Sequence, residues 1–167
     1  MKSKVPSKAV ILAIDPGYDR CGWAVMSSNP KAEVIFYGCI VTDKKADFFD
    51  RLSQVITELG QVIAAHETTE LAIETLFFSK NVKTAMRVAE TRGAISALCL
   101  INAMKIFEYS PVQIKQAVTG NGKADKKSVE KMVRLQLKIP KTEKLLDDTL
   151  DALGIGLTHQ ACRKTYF

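Results

Sequence analysis

Residues 10–17 read VILAIDPG, a short apolar run that ends in an acid and a turn. An apolar run of this length, closed by proline and glycine, is typical of a buried strand. Pro16 biases Asp15 towards an extended backbone, and Gly17 permits a sharp turn directly after it. The stretch therefore predicts a first strand over residues 10–15, with the side chain of Asp15 at its carboxyl end.

The apolar spacing downstream predicts further strands and helices. Residues 22–27 and 33–41 form strands that follow the first one closely, so we expect antiparallel hairpins. Two more strands are predicted at residues 71–74 and 106–110, and helical spacing recurs at residues 46–65, 79–104, 111–119, 126–138 and 146–159. Crossovers through helices make strands parallel, so we expect an α/β fold: a mixed five-stranded sheet, antiparallel in its first three strands, with helices on both faces.

Four carboxylates occupy informative places in these elements. Asp15 ends the first strand and Glu74 ends the fourth, so the two can lie side by side in one sheet. Asp148 and Asp151 are three residues apart in the last helix and therefore face the same way. Each acid alone is weak evidence, because an acid after a strand is often a turn former and Asp148 alone could be a solvated helix residue. Together they predict one acidic site.

Such a cluster of carboxylates is unfavourable unless cations neutralise it. Oxygen ligands select Mg²⁺ or Mn²⁺ over zinc, and Mg²⁺ typically uses a few carboxylates together with substrate phosphate. Two such ions about 4 Å apart can activate water and stabilise the leaving oxygen of a phosphodiester. The pattern predicts a site with two Mg²⁺ ions, for which Mn²⁺ can substitute.

Positive charge is concentrated in one segment of the chain. Residues 113–144 hold nine basic and three acidic side chains, which accounts for the whole net charge of +6. A basic stripe at helical spacing runs along the predicted helix and consists of Lys127, Lys131, Arg134 and Lys138. Such a stripe can follow the backbone of a nucleic acid, although an ordinary solvated helix face has the same pattern.

Length and composition favour one domain. The chain has 167 residues, enough for a single full core, and we expect residues 1–8 to be a flexible extension. No apolar run is long enough to span a bilayer, and residues 9–14 are too short for a signal-peptide core, so we expect a cytoplasmic protein without membrane contact. Free, buried thiols are expected rather than disulfides for the scattered Cys21, Cys39, Cys99 and Cys162.

Several stretches resemble the RuvC family of Holliday-junction resolvases, which has the RNase H-like fold. They cover most of the chain, in the family's order and spacing, and include IDPG at 14–17, AIETLF at 72–77, SKN at 79–81, GNGKADK at 120–126 and DALGIGLTH at 151–159. The resemblance implies one RNase H-like nuclease domain over residues 1–167, which resolves four-way DNA junctions by symmetric, metal-dependent nicks. It also implies a homodimer that works with the RuvA and RuvB branch-migration proteins.

The resemblance also implies roles for individual residues. The family's metal-binding acids fall on Asp15, Glu74, Asp148 and Asp151. Its residues that contact the junction, the DNA backbone or the scissile phosphate fall on Phe77, Lys115 and Lys126. We expect Lys115 to act near the chemistry, where a cation can stabilise charge that builds on the phosphate. The basic stripe extends this set of DNA-binding residues with Lys127, Lys131 and Arg134.

Two residues leave more than one interpretation open. Asp147 is an acid beside Asp148 and departs from the family's pattern, and the three-residue spacing to Asp151 favours Asp148 as the metal ligand. His159 lies about two helical turns after Asp151, so it could approach the site. We expect a structural role for it.

Other functions share parts of this pattern. Another RNase H-like nuclease, such as an RNA-processing enzyme or a phage-type resolvase, would use the same acids. A DNA-binding protein could carry the acids for structural reasons alone. Residues 15–22 also resemble the phosphate loop of actin-like kinases and ATPases, but those proteins need two such domains and this chain is too short.

Overall fold

The computed structural model describes residues 9–28, 33–76 and 82–166, with side chains described as far as Arg163. Within these ranges the strands are β1 (Val10–Asp15), β2 (Arg20–Ser27), β3 (Glu33–Val41), β4 (Glu70–Glu74) and β5 (Lys105–Tyr109). The helices are α1 (Phe48–His66), α2 (Val82–Ile101), α3 (Pro111–Thr119), α4 (Lys126–Leu137) and α5 (Asp147–Tyr166). The extension expected at residues 1–8 lies outside the described residues.

The five strands form one mixed sheet in the order β3-β2-β1-β4-β5. β1 pairs with β2 and β2 pairs with β3 in antiparallel fashion, whereas β1 with β4 and β4 with β5 are parallel. The predicted fold class is therefore confirmed, including the antiparallel first three strands. Parallel pairing of β1 with β4 brings the carboxyl ends of both strands to the same edge.

Alternate residues of β1 divide the core between the two faces of the sheet. Ile11 and Ala13 pack with residues of α3, α4 and α5, whereas Leu12 and Ile14 pack with residues of α1 and α2. This alternation follows from the two-residue period of a strand. Helices cover both faces, as predicted. The basic segment, residues 113–144, lies entirely on the face that α3, α4 and α5 cover.

Capping residues set several helix boundaries that the apolar pattern placed less well. Ser110, predicted as the last residue of a strand, instead precedes α3: its hydroxyl accepts from the backbone N–H of Gln113, and the Gln113 side chain accepts from the Ser110 N–H. This reciprocal capping box satisfies two donors that the helix start would leave unpaired. Asp47 caps α1 in a similar way, so that helix starts two residues later than predicted.

The last helix is longer than predicted. It runs from Asp147 to Tyr166, whereas the apolar spacing supported a helix only over residues 146–159. The final turns are held by polar contacts of Arg163 rather than by an apolar stripe, which explains why the pattern ended early. Conversely, α2 ends at Ile101 instead of residue 104, and residues 79–81 of that prediction lie outside the described residues.

The cysteines agree with the prediction of free thiols. All four are free, with Cys21 and Cys99 buried and Cys39 and Cys162 partly buried. Among the described helices, none is long and apolar enough to cross a membrane.

Candidate active site

The first two acids lie next to each other at the carboxyl edge of the sheet. β1 pairs in parallel with β4, with Ile14 opposite Ile73, so Asp15 and Glu74 end neighbouring strands. By the alternation of side chains, both acids lie on the same face as Ala13, which is packed beneath α5. The prediction that Asp15 and Glu74 lie side by side in one sheet is confirmed.

The other two acids reach this edge because the start of α5 lies directly on β2. A Cβ atom added to Gly22 would stand 1.9 Å from the backbone oxygen of Asp148, so only glycine permits this approach. Asp148 lies in the first turn of α5 and Asp151 one turn further. A carboxylate in the first turn interacts favourably with the helix dipole. The glycine in β2 thus brings the α5 acids to the end of β1.

Electrostatic crowding at Asp15 shows how close the four acids lie. Burial and the charges of Asp151, Glu74 and Asp148 together raise the pKa of Asp15 from its ordinary 3.8 to about 7, and Lys126 opposes them. Burial and the charge of Asp151 likewise raise the pKa of Glu74, which Lys115 partly counteracts. Carboxylates in such a cluster favour any cation that can neutralise them.

Two basic side chains already pair with acids of the cluster. Arg20 Nη1 lies 3.5 Å from Asp148 Oδ2. Lys126 Nζ lies 3.2 Å from Asp147 Oδ2 and 3.3 Å from Asp151 Oδ2. Burial works against the charge of Lys126, but the neighbouring carboxylates outweigh it and raise the lysine's pKa. Asp147 therefore contacts Lys126, on the same side as Asp151.

A divalent cation fits the chemistry of this cluster. The donors are all carboxylate oxygens, as hard ions such as Mg²⁺ prefer, and burial together with the neighbouring acids raises the pKa of Asp15. Among the described residues, no three His, Cys, Asp or Glu side chains stand close enough to enclose an ion in their present positions. Asp148 and Asp151 are turned towards Arg20 and Lys126, so ion binding requires them to exchange these partners.

Three shallow clefts meet at the acids. One, of about 260 Å³, is lined by Glu74 and Asp151 together with Lys115 and Lys126. A second lies beside Asp15 and Glu74, and a third beside Arg20 and Asp148. The acids are thus open to a large ligand that follows the surface. A polyanion lying across the first cleft would meet both lysines beside the carboxylates.

The predicted DNA-binding residues separate into two groups. Lys126, Lys127 and Lys131 are exposed on α4, and Lys115 is half-buried in the cleft beside Glu74. Arg134 differs from them: its side chain is only 11% exposed and donates to Glu130 and to the backbone oxygens of residues 140 and 143. This arrangement favours a structural role for Arg134 over the predicted DNA contact. Phe77 lies outside the described residues.

Comparison with known proteins identifies the family. Residues 11–159 match the family model of Crossover junction endodeoxyribonuclease RuvC. The chain is 40% identical over 150 residues to the Crossover junction endodeoxyribonuclease RuvC of Finegoldia magna, covering 89% of this chain and 91% of that protein. The chain belongs to the RuvC family. Its fold is accordingly RNase H-like, as the resemblance implied.

Solved RuvC structures agree with this assignment. RuvC of Thermus thermophilus superposes with a TM-score of 0.84 at 27% identity, over 94% of this chain and 96% of that one. The same protein in complex with a Holliday junction substrate superposes with a TM-score of 0.82 at 27% identity, over 90% and 92% of the two chains. The α5 start and the sheet edge described above are thus parts of a RuvC fold.

Sequence reasoning missed three residues at this RuvC-family site. Arg20 pairs with Asp148 from the start of β2, and the Arg92 Nε donates to the backbone oxygen of Glu74 over 3.1 Å. Nothing in its local sequence distinguishes Arg20 from a surface arginine, whereas Arg92 and Gly93 match the family's pattern, although the match implied no role for Arg92. Gly22 did carry a signal, because an isolated glycine within a strand often marks the close approach of another backbone.

Gly22→Ala tests whether contact between α5 and β2 positions the acids. The added methyl group would overlap the Asp148 backbone, so we expect the first turn of α5 to move and the free energy of unfolding to fall by about 1–3 kcal/mol. Gly60→Ala in α1, where nothing lies within 4 Å of the new Cβ, is the control and should be neutral or stabilising. Urea denaturation measures both, and equal effects would contradict the close contact.

Asp15→Asn tests the electrostatic crowding in chelator, without divalent ions. The folded chain holds the Asp15 proton more tightly than the unfolded chain, so Asp15 lowers stability progressively as pH rises from about 4 through about 7. The neutral amide should therefore raise the free energy of unfolding at pH 8 by about 1–3 kcal/mol, seen as a higher Tm, and change it little at pH 4. Thermal melts at pH 8 and pH 4 measure this effect. A difference in Tm between variant and wild type that does not change with pH would contradict the crowding.

Proposed function

We propose that this chain resolves four-way DNA junctions by metal-dependent hydrolysis of phosphodiester bonds, with Asp15, Glu74, Asp148 and Asp151 as the metal ligands. The convergence of these four carboxylates at one sheet edge, with the pKa of Asp15 raised to about 7, is the observation that carries the proposal. It is supported by relatives named crossover junction endodeoxyribonucleases and by the RuvC structure with a Holliday junction substrate.

Two Mg²⁺ ions are the metals we assign to the site, with Mn²⁺ as a substitute. Four carboxylates supply enough oxygen ligands for two ions that also bind the substrate phosphate. When bound, the ions would activate the attacking water and stabilise the leaving oxygen. The protein's own contribution is to hold carboxylates from β1, β4 and α5 at the edge of a cleft that DNA can reach.

Lys115 and Lys126 are the residues we assign to the reacting phosphate. Both line the cleft that contains Glu74 and Asp151, and both oppose the carboxylate charge there. A cation beside the scissile phosphate stabilises negative charge that develops as the bond breaks. Lys126 pairs with Asp147 and Asp151, so an ion bound to Asp151 would leave the lysine free to contact a phosphate oxygen.

DNA on either side of the cut is expected to run along α4. Lys127 and Lys131 are exposed and lie one turn apart on this helix, which begins at Lys126 beside the acids. Phosphate contacts of this kind fix the position of DNA without reading its sequence. Phe77 follows Leu76, whose side chain lines the cleft beside Asp15, and we retain it as the residue that separates bases at the junction.

The assembly we propose is a homodimer with two active sites that face one junction, acting with RuvA and RuvB in the cytoplasm. Large apolar side chains on one side of the molecule are available for the dimer contact. Val82 and Met86 in the first turns of α2 are 64% and 61% exposed, and Phe49 of α1 is 70% exposed. Arg87 lies over the ring of Phe48 and links the two helices at this surface.

A nicking assay tests the proposed activity. The purified chain with Mg²⁺ should cut a synthetic four-way junction at symmetric positions. Asp15→Asn should bind the junction, but its cutting rate should fall by at least about 100-fold. Asp50→Asn, which changes an exposed carboxylate on α1, is the matched control and should cut normally. Normal cutting by Asp15→Asn would contradict the mechanism.

The choice of substrate separates the proposal from its closest rival, another RNase H-like nuclease. Rates on a flap, a linear duplex and an RNA–DNA hybrid should all be far below the rate on the junction. Faster cutting of the hybrid would favour an RNA-processing enzyme. Junction binding without any cutting in Mg²⁺ or Mn²⁺ would favour a DNA-binding protein whose acids are structural.

The salt dependence of junction binding tests the α4 surface. Replacing Lys127 and Lys131 together by glutamine should lower the slope of log K against log salt by about 1 for each lysine and weaken binding uniformly across sequences. Lys105→Gln removes one charge at the opposite end of the sheet, where β5 begins, and should leave the slope unchanged. Fluorescence anisotropy in chelator measures both, and equal slopes for all variants would exclude α4 from the interface.

A further inference from the structure

A buried polar cluster joins the later turns of α5 to β4 and β5. We call it the α5 anchor, and it consists of Glu70, Tyr109, His159 and Arg163. All four residues are buried: the side chains of His159, Glu70 and Arg163 are 0%, 4% and 7% exposed, and Tyr109 is 1% exposed. The nicking mechanism uses none of them, and none is among the residues that the family resemblance assigned to the site.

Hydrogen bonds within the anchor connect the helix to two strands. His159 Nε2 lies 2.9 Å from Glu70 Oε2 on β4, and His159 Nδ1 lies 2.7 Å from the hydroxyl of Tyr109 on β5. Arg163, one turn later on α5, donates through Nε and Nη2 to both carboxylate oxygens of Glu70 at 2.9 and 3.1 Å. The ring of Phe107 packs against the imidazole, with 4.5 Å between ring centroids.

The charge of Glu70 is well compensated. Burial alone would raise its pKa, but the hydrogen bonds from His159 and Arg163 outweigh burial and lower the pKa to about 2. Because Glu70 is a carboxylate at neutral pH, the His159 Nε2 carries a proton and donates to it. In the neutral imidazole, Nδ1 is then the acceptor for the Tyr109 hydroxyl. With the protons placed in this way, His159 bonds to Glu70 and Tyr109 at the same time.

The distance between the anchor and the acids is nearly the same along α5 as along β4. Glu70 and Glu74 are four residues apart on β4, which is about 13 Å in a strand. Asp151 and His159 are eight residues apart on α5, which is about 12 Å in a helix. Asp151 lies near Glu74, and His159 contacts Glu70, so the same stretch of α5 spans the same stretch of β4. Bonds that hold His159 at Glu70 therefore also hold Asp151 near Glu74.

We propose that the α5 anchor sets the position of α5 along the sheet and thereby holds the first turns of α5 where Asp148 and Asp151 can turn towards Asp15 and Glu74 when divalent ions bind. This inference rests on the proposed metal site. The four anchor residues are positioning residues, because they act through the helix and touch neither substrate nor metal. Tyr109 strengthens the link, since it lies opposite Glu74 in the β4–β5 pairing.

Apart from the Gly22 contact and the ion pairs of Asp148 and Asp151 at its start, α5 packs on the sheet largely through apolar side chains, whose contacts are not directional. Leu150, Leu153 and Ile155 bury apolar surface, and burial of this kind tolerates small sliding movements of a helix. A slip of one residue would move Asp151 by about 1.5 Å along the helix axis. Misplacement on that scale can reduce catalysis by about 100-fold. Stability alone does not account for the Arg163–Glu70 ion pair, because proteins in which apolar residues replace a buried ion pair are often as stable.

Metal affinity tests the inference with a readout besides activity. His159→Leu and Tyr109→Phe are titrated with Mn²⁺ by calorimetry, in parallel with the wild-type chain. We expect the Mn²⁺ affinity to fall about tenfold for His159→Leu and less for Tyr109→Phe, which loses only the hydroxyl. In cleavage assays the kcat should fall, whereas the KM for the junction should stay within about twofold, because the DNA surface is unchanged.

Val55→Ala is the matched control. Val55 of α1 is fully buried in the core on the opposite face of the sheet, between α1, α2 and the strands, and its truncation lowers stability without touching α5. Its Mn²⁺ affinity should equal that of the wild type. If the anchor variants bind Mn²⁺ no more weakly than Val55→Ala, the positioning role is overturned; should His159→Leu fail to fold, Tyr109→Phe decides. A wild-type chain that binds no Mn²⁺ would instead overturn the proposed metal site itself.

Discussion

The packing of α5 across the sheet is the constraint on which the site depends. Two of the four acids come from this helix, whereas the other two end strands that lie far earlier in the chain. Burial of Leu150, Leu153 and Ile155 contributes about 1.5–3 kcal/mol for each side chain as an upper estimate. This exceeds the few kcal/mol by which ionised Asp15, through its burial and then its acidic neighbours, opposes folding at high pH. The helix therefore keeps its place although its first turn brings like charges together.

The unfavourable charge that results is what makes the site able to bind cations. In the chain alone, Arg20 and Lys126 neutralise Asp148 and Asp151, but burial and neighbouring acids still raise the pKa of Asp15 to about 7. A divalent ion relieves this repulsion more completely than either side chain. Stability and function are then in opposition in the metal-free chain, a conflict that is common where residues serve chemistry rather than folding.

Much of the fold, and the meeting of the four acids at one sheet edge, could be predicted from local sequence. The VILAIDPG stretch placed the end of β1, and the alternation of strands and helices gave the mixed sheet correctly. Contacts between distant residues could not be predicted: the role of Arg134 in holding residues 140 and 143, the pairing of Arg20 with Asp148, and the final turns of α5. Each depends on which side chains meet after folding, and a local pattern carries no information about that.

We propose that carboxylates from β1, β4 and α5 meet around divalent ions. Crystals of the chain grown or soaked in Mn²⁺, with diffraction recorded at the manganese absorption edge, test it most directly. We expect anomalous difference peaks within bonding distance of Asp15 and of at least two of the other three acids. Mn²⁺ peaks only elsewhere on the protein, or an ordered site with Asp148 and Asp151 still paired to Arg20 and Lys126 at saturating Mn²⁺, would contradict it.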